Sequence, residues 1–358
     1  MIPERLIYRK NKLLILDQRL IPFKVSYFKA KNVSDVSKAI KDMMVRGAPL
    51  IGDTAAYGYL LGIDEIISKK VNKKRALIKI LEKNLEKLKS ARPTAVSLFK
   101  CSWRVHRKAL DYIEKITNDF LNKRELKKLR EIVENEVSLI LNEDINSTLN
   151  IAKNGISLLK PGSVVITYCN TGALATAGIG TALGIISEGY KNGYIGYVYA
   201  CETRPYLQGA RLTAWELLKN KIPFSLICDN MVGWVMKTKK VDAVIIGADR
   251  IARNGDIANK IGSYSLAILS AYHKIPFYVA APTDTFDLNI EKGDDIKIEE
   301  RSSLEVIKIR DSYISHPDVV AFHPAFDVVP SNLITAIVTE KGIIKNPNTK
   351  NVISHLKK

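Results

Sequence analysis

Two apolar runs in this 358-residue chain end on residues able to do chemistry. Ser163-Val164-Val165-Ile166-Thr167-Tyr168 leads into Cys169, and Val241-Asp242-Ala243-Val244-Ile245-Ile246-Gly247-Ala248 leads into Asp249. Short β-branched runs of this kind predict buried strands of a parallel sheet. Ligands of such sheets sit in the crevice at the carboxyl ends of the strands. A thiol and a carboxylate delivered there by separate strands could face one another across a pocket.

Cys169 opens the segment Cys169-Asn170-Thr171-Gly172-Ala173-Leu174-Ala175-Thr176-Ala177-Gly178-Ile179-Gly180. We expect a polar loop and then the start of a small-residue helix, whose backbone N–H groups would receive a phosphate and favour a thiolate. A buried, inert cysteine is the competing reading. Gly178, Gly180 and Gly184, with a strand ending at Glu202, loosely mimic a dinucleotide fingerprint, the mark of a nicotinamide dehydrogenase. The first glycine lies too far from the strand, however, and G-x-G-x-x-G is not matched.

Asp249, walled by apolar strands, would hold its proton and act as an acid; the alternatives are a turn cap or a partner for Arg250. Asn259 and Lys260 precede a helix at Ser263-Tyr264-Ser265-Leu266 and suit hydroxyl and phosphate oxygens, although a lone lysine is by default a surface residue. Arg46-Gly47-Ala48-Pro49 joins a charged fork to small residues that let backbone approach a ligand, and Arg92 precedes Pro93. Each arginine alone reads as well as a surface group.

Composition narrows the class. Apolar residues make up 46% and charged residues 26%, as in globular proteins. Cys101, Cys169, Cys201 and Cys228 form no C-x-x-C pair, so neither a zinc site nor a disulfide framework is expected. No metal and no cofactor is expected, because no ligand set of His, Asp and Cys appears. The chain opens without a signal-peptide pattern, and no apolar run reaches the roughly 18 residues that span a bilayer. We therefore expect a soluble, cytoplasmic protein with no membrane partner.

The net charge of +18 raises the question of nucleic acid. Much of the excess lies in Lys69 to Arg75, Lys79 to Lys89 and Asn122 to Arg130, where lysines alternate with glutamates and lack interleaved aromatics. That is a solvated helix face rather than a nucleic-acid surface. Its field would still attract an anionic metabolite such as a sugar phosphate.

Two domains are expected, 1–150 and 151–358. The first opens with two predicted strands, Ile7 to Leu16 and Leu20 to Phe28, as a small antiparallel element. A helix capped by Ser34 follows, then helical periodicity over Thr54–Leu61, Asn72–Leu88, Ala95–Ile113 and Glu125–Leu159, interrupted by turns. Beyond Pro161-Gly162 strands and helices alternate. Val164–Tyr168, Ile195–Ala200, Phe224–Cys228, Ala243–Gly247, Phe277–Ala280 and Val319–Ala321 are the candidate strands. This pattern predicts an α/β fold: a Rossmann-like parallel sheet preceded by a mostly helical N-terminal domain.

Several strings resemble the methylthioribose-1-phosphate isomerase family. They are Arg46-Gly47-Ala48-Pro49, Arg92-Pro93-Thr94-Ala95-Val96, Cys169 through Gly178, Glu202-Thr203-Arg204-Pro205, Leu207-Gln208-Gly209-Ala210-Arg211-Leu212-Thr213-Ala214, Gly247-Ala248-Asp249-Arg250-Ile251, Asn254 through Gly262 and His323-Pro324-Ala325-Phe326-Asp327-Val328. They run in order through nearly the whole chain. Departures from the family pattern are Tyr168 in place of histidine, Asp53 in an apolar stretch, Ser97 in place of asparagine and Cys201 in place of aspartate.

The resemblance implies an aldose–ketose isomerase of methionine salvage that acts on 5-methylthioribose 1-phosphate, usually as a homodimer. It makes Asp249 the proton donor and Cys169 the second catalytic group. Arg46, Gly47, Ala48, Arg92, Gln208, Asn259 and Lys260 would hold the substrate. The same fold serves regulatory subunits of the translation-factor exchange complex, which are not enzymes, and a ribose-1,5-bisphosphate isomerase. An isomerase of 5-deoxyribose 1-phosphate is a closer rival.

Overall fold

Lys10 and Asn11 both have positive φ, +49° and +55°, the backbone of the two-residue turns that match strand twist. They join β1 (Leu6–Arg9) to β2 (Lys12–Leu16), and β3 (Tyr27–Ala30) completes an antiparallel sheet. The element thus has three strands rather than two. The chain from Leu20 turns on itself, with Phe23 and Lys24 N–H groups both donating to the Leu20 carbonyl, so pairing begins only at Tyr27. The computed structural model describes residues 2–92 and 96–357. They fall into two units: Pro3–Ile145 with Leu174–Ala177, and Asn146–Ala173 with Gly178 onward.

The first unit is helical beyond its sheet. Helix α1 (Val33–Lys41) is capped by Asn32, whose side chain accepts the Asp35 N–H at 2.9 Å, and not by Ser34, which lies inside the helix. Helix α2 (Ala48–Ser68) begins well before Thr54, with Pro49 in its first turn, where the missing N–H costs nothing. Helices α3 (Lys74–Lys89) and α4 (Val96–Glu114) pack against it. Leu77, Leu81, Leu85 and Leu88 of α3 enter the core while Lys79, Glu82, Lys83, Glu86 and Lys87 stay exposed. Helix α5 (Lys123–Ile156) runs 34 residues, close to the expected Glu125–Leu159, and the division between units falls within it.

In the second unit the elements follow as β4 (Ser163–Thr167), α6 (Ala182–Lys191), β5 (Ile195–Cys201), α7 (Ala214–Lys219), β6 (Phe224–Ile227), α8 (Val232–Thr238) and β7 (Ala243–Ile246). Short strands β8 (Arg250–Ala252) and β9 (Ile257–Lys260) precede α9 (Ser263–Tyr272), β10 (Phe277–Ala280) and β11 (Phe286–Asp287). Then come α10 (Leu304–Ile307), the hairpin β12 (Lys308–Ile309) and β13 (Ser312–Tyr313), β14 (Phe326–Val329), β15 (Ala336–Thr339), β16 (Gly342–Lys345) and α11 (Thr349–Leu356).

The main sheet has the order β16-β15-β10-β7-β4-β5-β6, with every pairing parallel except β15 with β16. The first strand of the unit, β4, therefore sits inside the sheet beside its middle strand β7, and the chain winds outward first one way and then the other. This doubly wound order places a switch point between β4 and β7. A second sheet, β11-β8-β9-β14, is built from the chain following β7. Val319–Ala321 is not a strand: Val320 is 94% exposed, so nothing pays for its ordering in a ladder. Among the described residues, no helix is long and apolar enough to cross a membrane.

Candidate functional site

β4 ends at Thr167 and β7 at Ile246, and Thr167 pairs with Ile245. Cys169 and Asp249 thus leave neighbouring central strands on either side of the switch point. Gly247 permits this, because a Cβ there would lie 2.6 Å from the Thr171 methyl. Past Gly247 the Asp249 N–H donates to the Ala258 carbonyl at 2.9 Å, which starts the second sheet.

Cys169 is a buried residue with φ +63°, a left-handed backbone that costs an L-residue about 1–2 kcal/mol. Two threonines hold it there. The Cys169 N–H donates to Thr203 Oγ1 at 2.8 Å, and Thr213 Oγ1 donates to the Cys169 carbonyl at 2.6 Å. Asn170 beside it donates through Nδ2 to Thr213 Oγ1 at 3.2 Å and to Glu216 Oε1 at 2.8 Å. The other oxygen of the buried Glu216 accepts the Ala173 N–H at 2.8 Å. Strain kept by a surrounding hydrogen-bond frame is characteristic of functional positions.

Of the small-residue helix expected after the polar loop, only a single 3-10 turn forms, at Ala173–Ala175. Thr181 N–H donates to the Thr171 carbonyl at 2.8 Å and Gly172 bridges Gly180, which closes the segment into a loop. Helix α6 starts only at Ala182, so a helix start does not supply N–H groups beside the thiol. Asp249 also differs from expectation. It is exposed rather than walled in, because Gly247 and Ala248 carry the chain clear of the sheet before it.

Lys260 is buried at the end of β9, and its Nζ donates to the Ala325 carbonyl at 2.8 Å while lying 4.4 Å from the Phe326 ring centre. Burial pulls its pKa down and the Arg301 charge adds to this, while Cys169, Asp249 and Glu305 act in the opposite sense. The field at Lys260 therefore links it to both strand-end groups. Neighbouring Asn259 is buried and donates to Ser263 Oγ at 2.8 Å. Gln208 is buried and immediately precedes a π-helical turn, Gly209–Thr213, which carries Thr213.

The remaining candidates belong to the first unit. Arg46 is buried. Gly47 has φ +89°, and a Cβ on it would lie 2.5 Å from the Ala175 Cα, so only glycine fits. Ala48 starts α2, and Arg92 is half-buried in a coil. Pro93, Thr94 and Ala95 of its string lie outside the described residues.

Several groups carry weight that the sequence did not reveal. Tyr168 reaches under Gly262, its OH donating to the Ile261 carbonyl at 2.8 Å, and a Cβ at 262 would collide with that oxygen. Arg301 binds Glu299 through Nε at 3.0 Å and lies 5.7 Å from the same Phe326 ring that Lys260 faces. Asp327 Oδ2 accepts the N–H groups of Gly262 at 2.7 Å and Tyr264 at 3.1 Å, so it caps α9 just past Lys260. Burial pushes the Asp327 carboxyl up to about 6 despite those donors. The Asp327↔Asn259 pairing of β14 with β9 appears only in three dimensions.

A doubly wound sheet with a thiol and a carboxylate flanking its switch point, and a buried lysine in the same field, describes a small-molecule enzyme of the Rossmann-like class. The chain belongs to the initiation factor 2 subunit family, whose model matches residues 44–346. A relative from Petrotoga mobilis named methylthioribose-1-phosphate isomerase is 49% identical, with 96% of this chain and 95% of that protein covered. The crystal structure of 5-methylthioribose 1-phosphate isomerase from Pyrococcus horikoshii OT3 is 37% identical, has a TM-score of 0.91, and covers 99% of this chain and 96% of its own. A structure titled translation initiation factor eIF-2B, subunit delta, from A. fulgidus is 38% identical with a TM-score of 0.86, and 99% of each chain is covered.

Proposed function

We propose that this chain is an aldose–ketose isomerase of methionine salvage that converts 5-methylthioribose 1-phosphate into 5-methylthioribulose 1-phosphate. The observation that supports it most is the near-half identity, over almost the full length, to a protein of that name. Cys169 and Asp249 at the switch point fit that reading.

The phosphate on the anomeric oxygen prevents simple opening to a free aldehyde, so the ring C–O bond has to be broken with acid help. Asp249 delivers a proton to the ring oxygen. Since it is exposed in the free chain, bound substrate has to cover it before its carboxyl can hold a proton at neutral pH. Hydrogen then moves from C2 to C1. Either Cys169 abstracts the C2 proton and an enediol is reprotonated at C1, or hydride shifts directly while Cys169 stabilises the cation. Lys260 offsets phosphate charge, and Asn259 and Gln208 bind sugar oxygens. By resemblance, Arg46, Gly47, Ala48 and Arg92 also bind substrate.

The test follows turnover of the 5-methylthio and 5-deoxy sugar 1-phosphates by NMR in deuterated water. We expect turnover of the methylthio sugar, lost from Cys169→Ala and Asp249→Asn while both remain folded. Near-normal turnover in either variant refutes its role. Deuterium at C1 identifies proton transfer, and full retention of the substrate hydrogen identifies the hydride route. Binding to a translation GTPase without turnover would instead support the regulatory-subunit reading, which the A. fulgidus similarity keeps in view.

The same reading makes the protein a cytoplasmic homodimer. Tyr264, Ile268 and Tyr272 lie four residues apart on α9, one face of that helix, and are all exposed, as are Met231 at the start of the adjoining α8 and Trp234 within it. A second copy would cover them. A monomeric mass by light scattering would refute this.

A further inference from the structure

Leu174–Ala177 begins five residues after Cys169, yet it packs as part of the N-terminal unit. Four groups of that unit seat it. Gln18 Nε2 donates to the Leu174 carbonyl at 2.7 Å, and Gly47 lies flat against Ala175. Arg5 donates through Nε to the Thr176 carbonyl at 3.2 Å and through a terminal nitrogen to the Ala177 carbonyl. Asp144, on α5, accepts the Ala177 N–H through Oδ2 at 2.6 Å.

Behind Asp144 stands Asp53 on α2, only 1% exposed, with Oδ2 lacking any hydrogen-bond partner. The groups that face Asp53 are Asp144, Arg5 and Tyr57, and Tyr57 in turn feels Glu134 and Glu4. A buried and a half-buried carboxylate beside one guanidinium would leave a net negative charge in a site where charge is costly. One proton between the carboxyls leaves a single anion opposite Arg5. Asp144 already spends an oxygen as acceptor for Ala177, so the proton belongs on Asp53, which then donates to Asp144.

We propose that Asp53 and Asp144 share one proton and act together as a positioning device that seats Leu174–Ala177, and with it the loop carrying Cys169. Burial, then the Asp144 charge and hydrogen bond, raise Asp53 above the ordinary carboxylate range, and Arg5 opposes them weakly. A carboxyl raised in the folded chain loses its contribution as pH increases. The seat therefore loosens on the alkaline side and stays firm on the acid side. Asn in place of Asp53 supplies the same donor without a titratable proton.

Two readouts test this. The first is hydrogen exchange of the Ala177 amide across pH 6 to 10, corrected for the intrinsic base-catalysed rate, and it does not depend on what the protein catalyses. Wild type should lose at least tenfold in protection as pH rises, Asp53→Asn should keep it, and Asp53→Ala should lack it already at neutral pH. The second readout rests on the isomerase reading. The alkaline limb of kcat should vanish in Asp53→Asn, while neutral kcat stays within about threefold of wild type and KM is unchanged. Asp144→Asn, which also fixes one donor between the pair, should reproduce the flat profile if Asp53→Asn fails to fold. An exchange profile with the same pH dependence in wild type and in the Asn variants overturns the proposal. Protection that falls with pH in wild type and stays flat in the Asn variants, with no turnover in any of them, leaves the seat standing and removes the isomerase assignment.

Discussion

Replacing Thr213 by valine should release Cys169 from its left-handed backbone, and the size of the effect follows from the bonds. That backbone costs about 1–2 kcal/mol, and each threonine hydroxyl returns about 0.5–1.5 kcal/mol net, so the pair only just offsets the strain. Valine keeps the shape of threonine but leaves the buried Cys169 carbonyl and one Asn170 N–H without their partner. A buried polar group stripped of its bond costs about 1–3 kcal/mol. We expect Thr213→Val to lower stability by about 2–3 kcal/mol in urea unfolding at unchanged m-value. On the isomerase reading kcat should fall at least tenfold with little change in KM, since the thiol moves and the substrate contacts do not.

A matched pair of variants isolates the strain itself. Cys169→Gly and Cys169→Ala both remove the sulfur, but only glycine occupies positive φ freely. Cys169→Gly should be the more stable of the two by about 1 kcal/mol, and Thr213→Val should cost more in the glycine background, where there is no strain to release, giving a coupling energy of about 1 kcal/mol. Equal stability of the glycine and alanine variants would refute the strain argument. A kcat within twofold of wild type in Thr213→Val would refute the positioning argument.

Other expectations concern the frame around this position. Glu216→Gln retains one acceptor where Asn170 Nδ2 and Ala173 N–H both donate, so it should cost about 1–3 kcal/mol in unfolding free energy. Gly47→Ala has to place a Cβ 2.5 Å from the Ala175 backbone at positive φ and should cost about 2–4 kcal/mol by the same measurement. Asp327 titrates near 6 when folded and near its ordinary 3.8 when unfolded. Between those values the folded chain keeps a proton that the unfolded chain has released. This group therefore lowers stability as pH rises through that window, by about 3 kcal/mol at most, and its effect is constant above it. Urea unfolding at intervals between pH 4 and 7 should show that extra fall in wild type relative to Asp327→Asn.

The central strands were legible because burial on both faces leaves only apolar, β-branched residues in them. Ala243–Ile246, buried throughout, is the plainest case. Elements with weaker internal pattern were not. Arg250–Ala252 and Ile257–Lys260 contain Arg, Asn and Lys, and they pair only because β7 feeds a second sheet beyond its end. Ala336–Thr339 is apolar but short, and it is fixed by β10 on one side and β16 on the other rather than by periodicity. Val319–Ala321 shows the converse, an apolar triplet with no partner to pair with.

Chemistry at the site divides along the same line. A residue that ends a strand can be named from the strand, as Cys169 and Asp249 were, whereas a residue that holds another in place is visible only through the contact. Nothing around Thr203, Thr213 or Glu216 in the sequence marks them as partners of the chain from Cys169 to Ala173, because the bonds join segments 34 to 46 residues apart. The one advance sign was Asp53, a carboxylate inside an apolar helical stretch with nothing nearby in sequence to pair with it. Such a residue is expensive to bury and needs a partner from elsewhere in the fold. Its partner is Asp144, 91 residues later, and Arg5, 48 residues earlier. An unpaired charge within an apolar run thus signals that a distant contact exists, while only the fold says with what, and here that contact leads back through Ala177 to the loop of Cys169.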